Sequence, residues 1–158
     1  MNEIHKTLPY RETYEFVLSH VKGRLFHFTT YDNYQGILKS GAIEPNRDGT
    51  RRGHCTRPES YGFKNRLISL FDFRMADKTA IERTGENYPF WVSRHTCRSV
   101  HLLLDEQRLK GKLIPNNVRK EPWADYIPGT ECWYPEDIPI VWIPTALVVT
   151  VSKIADGI

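Results

Sequence analysis

The sequence predicts an α+β domain built on a split, mainly antiparallel β-sheet with helices packed at one side. Three observations carry that expectation. Segments of strand character outnumber those of helical character, and the two kinds follow each other in mixed order. Aromatic residues make up 12% of the chain, which favours strands. The 158 residues hold no repeat, low-complexity tract or linker, so a single domain over residues 1–158 is expected. A chain of that size buries roughly two thirds of its unfolded surface.

Each element has its own signature. Arg11 to Val21 set Tyr14, Val17, Leu18 and Val21 at helical spacing, an amphipathic helix. Arg24-Leu-Phe-His-Phe-Thr-Thr30 alternates as a strand, with Phe26 and Phe28 on one face and His27 and Thr29 on the other. Tyr31 to Gly41 follows at once as a short helix, with Ile37 and Leu38 as its apolar stripe and Gly41 as its stop. Glu44 to Lys64 is polar and rich in Arg and Gly, a long loop or broken helix; loops of that length in a compact domain are usually functional. Leu67 to Phe73 is a strand turning Ile68, Leu70 and Asp72 one way and Leu67, Ser69, Phe71 and Phe73 the other. A helix is expected over Arg74 to Arg83. Ser99 to Asp105 is the nearly continuous apolar run of a central strand, followed by a helical turn at Glu106 to Lys110. Glu131 to Tyr134 and Thr145 to Val151 are the last strands. Pro135, Pro139 and Pro144 separate them, each removing a backbone donor from a ladder.

Composition narrows the function classes. No apolar run reaches the ~18 residues a membrane span needs, so no membrane partner is expected. Met1-Asn-Glu-Ile-His-Lys6 lacks an apolar signal core, which predicts a cytoplasmic location. Cys55, Cys97 and Cys132 have no framework spacing and read as reduced thiols. His54, Cys55, His95, Cys97, His101 and Cys132 are of zinc-ligand type, but His95-x-Cys97 is too close for a usual knuckle and has no matching pair, so no metal is expected. On a strand Cys55 would point away from His54, against a Cys–His nucleophile, and no Gly-rich phosphate-binding motif is present. Charge is concentrated. Arg47, Arg51, Arg52, Arg57, Lys64 and Arg66 face only Asp48 and Glu59, a surplus larger than the +3 of the whole chain. Such a field is either a solvated loop or a site for phosphate-bearing ligands, and the interleaved Tyr61 and Phe63 favour ligand contact.

His27-Phe-Thr29, the Ile68-Ser-Leu-Phe-Asp-Phe73 strand and Glu131-Cys-Trp-Tyr-Pro-Glu-Asp-Ile-Pro139, in that order and spacing, resemble the NAD-dependent ADP-ribosyltransferases. The likeness is greatest to the DarT-like toxins, which modify nucleic acid, and it runs loosely from Arg24 to Val151. It implies an ADP-ribosyltransferase-like fold, NAD as substrate and a DNA or RNA acceptor. It also implies a role in toxin–antitoxin or phage-defence conflict, with an antitoxin protein as a possible partner. In such folds a late strand begins with the catalytic glutamate, and by that likeness Glu131 is the catalyst. The chemistry suits a carboxylate. Breaking the nicotinamide–ribose bond develops positive charge at the sugar, which a preorganised anion stabilises, and the same group can serve as a general base. The alternative for Glu131 is a strand-edge carboxylate facing water.

By the same resemblance His27 hydrogen-bonds the adenosine ribose with Thr29 beside it. Ser69 lies near the nicotinamide, with Phe71 or Phe73 as stacking platform. The alternatives are a backbone-satisfied histidine and plain core packing. An arginine after the first helix contacts the NAD phosphates in these toxins and assists the nucleophile; Arg51, Arg52 and Arg57 are candidates, with Arg52 preferred. Its planar fork grips phosphate oxygens in pairs. The following strand departs from the tyrosine- and proline-rich version of those toxins. The acceptor loop falls in Asn116 to Thr130, where Arg119, Lys120, Trp123 and Tyr126 would steer or stack on a polynucleotide; the alternative for Trp123 is a packing anchor for the loop. Competing readings are a catalytically silent domain binding NAD-like ligands or single-stranded nucleic acid, an NAD-dependent RNA 2′-phosphotransferase, and a protein-directed ADP-ribosyltransferase.

Overall fold

The computed structural model describes residues 1–49, 60–92, 97–116, 126–127 and 129–152. Its first element, β1 (Asn2–Leu8), leads through Pro9 into α1 (Tyr10–Val21). β2 (Leu25–Thr30) then runs straight into α2 (Tyr31–Ser40). Thr30 serves both elements: it ends the strand, and its side chain accepts from the Asn33 N–H at 3.3 Å as the helix cap. Gly41, at φ 83°, ends α2 by donating its N–H to the Ile37 carbonyl, the left-handed stop that its position predicts. After β3 (Ala42–Ile43) come α3 (Tyr61–Lys64), β4 (Ile68–Asp72) and α4 (Lys78–Asn87). β5 (Arg98–Leu103), α5 (Glu106–Leu109), β6 (Glu131–Tyr134), β7 (Ile138–Pro139), a 3-10 turn over Ile140–Trp142 and β8 (Thr145–Val151) complete the described chain. No helix among the described residues is long and apolar enough to cross a membrane.

Six strands form one sheet in the order β1-β8-β5-β2-β4-β6, antiparallel at every step except the parallel β1–β8 pair. β3 and β7 make a separate two-stranded ladder. The mixed α+β class and the mainly antiparallel sheet therefore hold. The helices, however, flank both faces rather than one. Leu25, Leu70, Leu102 and Ala146 pack with Tyr34 and Ile37 of α2 on one face; Phe26, Phe71, Leu103 and Leu147 pack with Val17 and Val21 of α1 and Ile81 of α4 on the other. An isolated helical stripe does not reveal which face of a sheet it will cover.

Two further corrections have local causes. The helix expected from Arg74 begins instead at Lys78, where the Asp77 side chain accepts from the Ala80 N–H at 2.8 Å. Arg74 is held elsewhere: its Nε and Nη2 donate to the two carboxylate oxygens of Asp72 at 2.8 and 2.6 Å, and Nη1 reaches Glu106 at 2.9 Å. The N-terminal residues, which carry no strand signal in sequence, form the edge strand β1, paired from Asn2↔Thr145 to Leu8↔Val151. An edge strand with polar residues on both sides shows no apolar alternation.

The sheet is also opened from within. β2 and β4 pair only at Leu25↔Asp72 and Phe26↔Phe71, although β2 continues to Thr30 and β4 reaches back to Ile68. Past Phe26 the strands diverge, and the His27 ring enters the gap to hydrogen-bond the Ser69 carbonyl at 2.9 Å.

Candidate active site

Strand register sets the candidate site on the face that carries Phe26 and Phe71. Phe26, Phe71 and Glu131 form one row across β2, β4 and β6, and Ser69 and Trp133 face each other in the next row. Neighbouring strands lie ~4.8 Å apart, so Glu131 and Ser69 are diagonal neighbours. Glu131 is 8% exposed, and both of its carboxylate oxygens are engaged. The Ile127 backbone N–H donates to Oε2 at 2.8 Å, and the Trp133 indole N–H donates to Oε1 at 3.1 Å. The Asn116 amide ties the loop to the strand by donating to the carbonyls of Ile127 and Glu131 at 3.2 and 2.9 Å. Glu131 is thus a buried, oriented carboxylate, not the water-facing edge residue of the alternative reading.

His27 approaches from the gap. Its backbone register places its side chain on the α2 face with Leu25, whereas Glu131 belongs to the opposite face, and Ser69 lies between them. The Ser69 carbonyl anchors the His27 ring while the Ser69 side chain belongs to the Trp133 row. A carbonyl only accepts, so Nδ1 carries the proton and Nε2 is left as an acceptor. Burial pushes the His27 pKa below the ordinary histidine range, so the ring is neutral near pH 7. Thr29 is buried on β2 opposite Val100 of β5.

Phe71 and Phe73 fall to core packing. Phe71 stacks on Phe26 at a centroid distance of 5.3 Å, and Phe73 and Phe90 close the cluster around them. Phe73 is 1% exposed, which leaves it no free face for a ligand. Among the partly exposed rings on this side, Phe28 and Tyr88 are in edge contact at 5.6 Å. Tyr88 also packs on Phe71.

Sequence reasoning marked Tyr61 of α3 only as a ligand-contact aromatic and passed over Gly62 and Trp133, which with it close the site. Tyr61 packs on Trp133 at 4.3 Å, and Gly62 sits so close to the sheet that a Cβ there would overlap Ser69 Oγ and lie 3.2 Å from Trp133 Cδ1. The signal for Trp133 was available: Glu131-x-Trp133 on a strand puts both side chains on one face. Gly62 gave none, because its role is to lack a side chain where two elements meet.

Arg51, Arg52 and Arg57, and with them Arg119, Lys120 and Trp123, lie outside the described residues. So do His54, Cys55 and His95. Tyr126 is half-buried beside Ile127. Of the basic segment, Arg47 is paired with Asp137 at 2.9 Å, on a solvent-exposed pair. No group of three metal-ligand side chains exists among the described residues. His101 and Cys132 are buried among the packing clusters of opposite faces, with burial lowering His101 to about 4 and pushing the Cys132 thiol up.

No family model, curated protein or solved structure matches this chain.

Proposed function

We propose that this protein transfers ADP-ribose from NAD to a nucleic-acid acceptor, DNA or RNA, as a toxin or phage-defence effector. The reading rests on the likeness of its three sequence blocks to ADP-ribosyltransferases. The observation that carries it furthest is the carboxylate of Glu131, buried and gripped by two N–H donors, one row from Ser69, whose carbonyl anchors the His27 ring. In this mechanism Glu131 faces the ribose from which nicotinamide departs. Its negative charge, held in a fixed orientation, opposes the charge growing at the anomeric carbon. His27, neutral and donating through Nδ1, offers Nε2 as acceptor to a ribose hydroxyl. Arg52 and its neighbours take the pyrophosphate, and the residues before Glu131 meet the acceptor.

The test is nicotinamide release from NAD by purified protein, alone and with single-stranded DNA, duplex DNA or RNA. Glu131→Gln keeps the size of the side chain and an oxygen acceptor, and should cut release by on the order of a hundredfold or more. Unchanged release in a folded Glu131→Gln protein would remove Glu131 from the mechanism. A second reading is favoured by the same two hydrogen bonds: a carboxylate already satisfied by the chain can simply hold the loop to β6 in a catalytically silent domain. Binding of NAD or single-stranded nucleic acid without any nicotinamide release would establish that reading instead.

A further inference from the structure

Trp133 is the most firmly held side chain beside Glu131. Its backbone pairs with Ser69 on one side and on the other exchanges hydrogen bonds with Ile114, at 3.0 and 2.8 Å. The side chain is fully buried. Tyr61 covers the indole at 4.3 Å, and the missing side chain of Gly62 lets α3 press down on it, within 3.3 Å of where a Cβ would meet Nε1. The indole therefore has one place to be, and from that place its only donor points at Glu131 Oε1, 3.1 Å away.

On the reading of Glu131 as the catalyst, we infer that Trp133 is a positioning residue for the reaction: its N–H fixes the plane of the carboxylate. The Ile127 N–H that holds one oxygen comes from a loop, whereas the strand-borne indole supplies a fixed point on the other. Two fixed points, one on each oxygen, define the plane of the carboxylate. α3 enters the mechanism through this contact without touching substrate. Its Tyr61-Gly62 step is the clamp that keeps the indole from rotating away.

The experiment is steady-state nicotinamide release by Trp133→Phe, which keeps an aromatic ring but no N–H, and by Trp133→His, which restores a ring N–H. Loss of one hydrogen bond to a charged group predicts about a tenfold to hundredfold fall in kcat. KM for NAD should be little changed, because the interaction matters in the transition state and not in binding. Trp133→His should recover part of the lost kcat. A purely packing role predicts the opposite order, with the better-filling Phe closer to native. Full kcat in Trp133→Phe, or a rise in KM alone, overturns the inference while leaving Glu131→Gln to report on the proposed activity. Absence of release by the native protein with every acceptor overturns both. Should Trp133→Phe fail to fold, the native protein answers through its indole NMR signals: in Glu131→Ala the Trp133 N–H resonance should shift and exchange faster with solvent. An unmoved resonance refutes the pairing.

Discussion

His101 makes the stability of this domain depend on pH. The residue is fully buried on β5, where its ring lies against Phe26 and Phe28, and its Nε2–H donates to the Phe90 carbonyl. A second proton would place a cation among aromatic rings. Burial accordingly holds the pKa down to about 4, against 6.5 for a free histidine; the Phe90 carbonyl works the other way but is outweighed. The sign follows. Between those two values the unfolded chain binds a proton that the folded protein refuses, so the stabilisation is complete above pH ~6.5 and drains as pH falls toward the folded value. Each unit of difference is worth about 1.4 kcal/mol, so acidifying from neutrality to pH ~4 should cost about 3 kcal/mol through this one ring. That is a large part of the stability of a typical domain. The assay is urea unfolding across that range for the native protein and for His101→Gln, which keeps a donor for Phe90 but does not titrate. The native protein should lose about 3 kcal/mol more than the variant over the interval. Parallel pH curves for the two would refute the account.

Two other consequences can be measured. Gly62→Ala should destabilise the fold by about 1–3 kcal/mol of overpacking, which outweighs the ~1 kcal/mol that alanine gains in a helix; adding Ser69→Ala should restore part of it in a double-mutant cycle, and additive losses would show that the two sites do not touch. Tyr34, buried on α2, donates its hydroxyl to Glu3 on β1, and that bond, with His5 on the other oxygen, holds the Glu3 carboxyl below its ordinary value. Tyr34→Phe should let Glu3 titrate closer to the normal carboxylate range in a side-chain NMR titration and remove about 1 kcal/mol of stability that the native protein itself loses as pH falls through the Glu3 pKa.

The parts of this fold that were legible in sequence are those where one residue decides a local outcome. Gly41 ends α2, and the alternation of Ile68 and Leu70 against Phe71 and Phe73 sorts two residue sets onto opposite faces, as the two packing clusters confirm. Glu131 to Tyr134 and Thr145 to Val151 form strands over those spans. What escaped depends on distant partners. β1 has no apolar rhythm of its own and is a strand only because β8 offers a parallel edge. The start of α4 is set by the Asp77 cap, while Arg74 is held outside the helix by Asp72 and Glu106, partners the helix's own residues do not reveal. At the candidate site, Glu131 and His27 could be singled out by type and order, but not the face each would occupy. The short β2–β4 ladder, which puts Ser69 between them, is a property of two strands drifting apart and not of either sequence alone.

The seat of β8 between β1 and β5 has a bearing on how the chain comes together. Among the described strands it is the final one to leave the ribosome, yet it occupies an interior position and supplies the sole neighbour of the very first. Until Thr145–Val151 emerges, Asn2–Leu8 has nothing to join and β5 exposes a bare flank. Assembly is therefore dominated by long-range closure, the regime of slow folding, and a nascent chain halted shortly before Thr145 would present an open sheet margin prone to sticking to its neighbours.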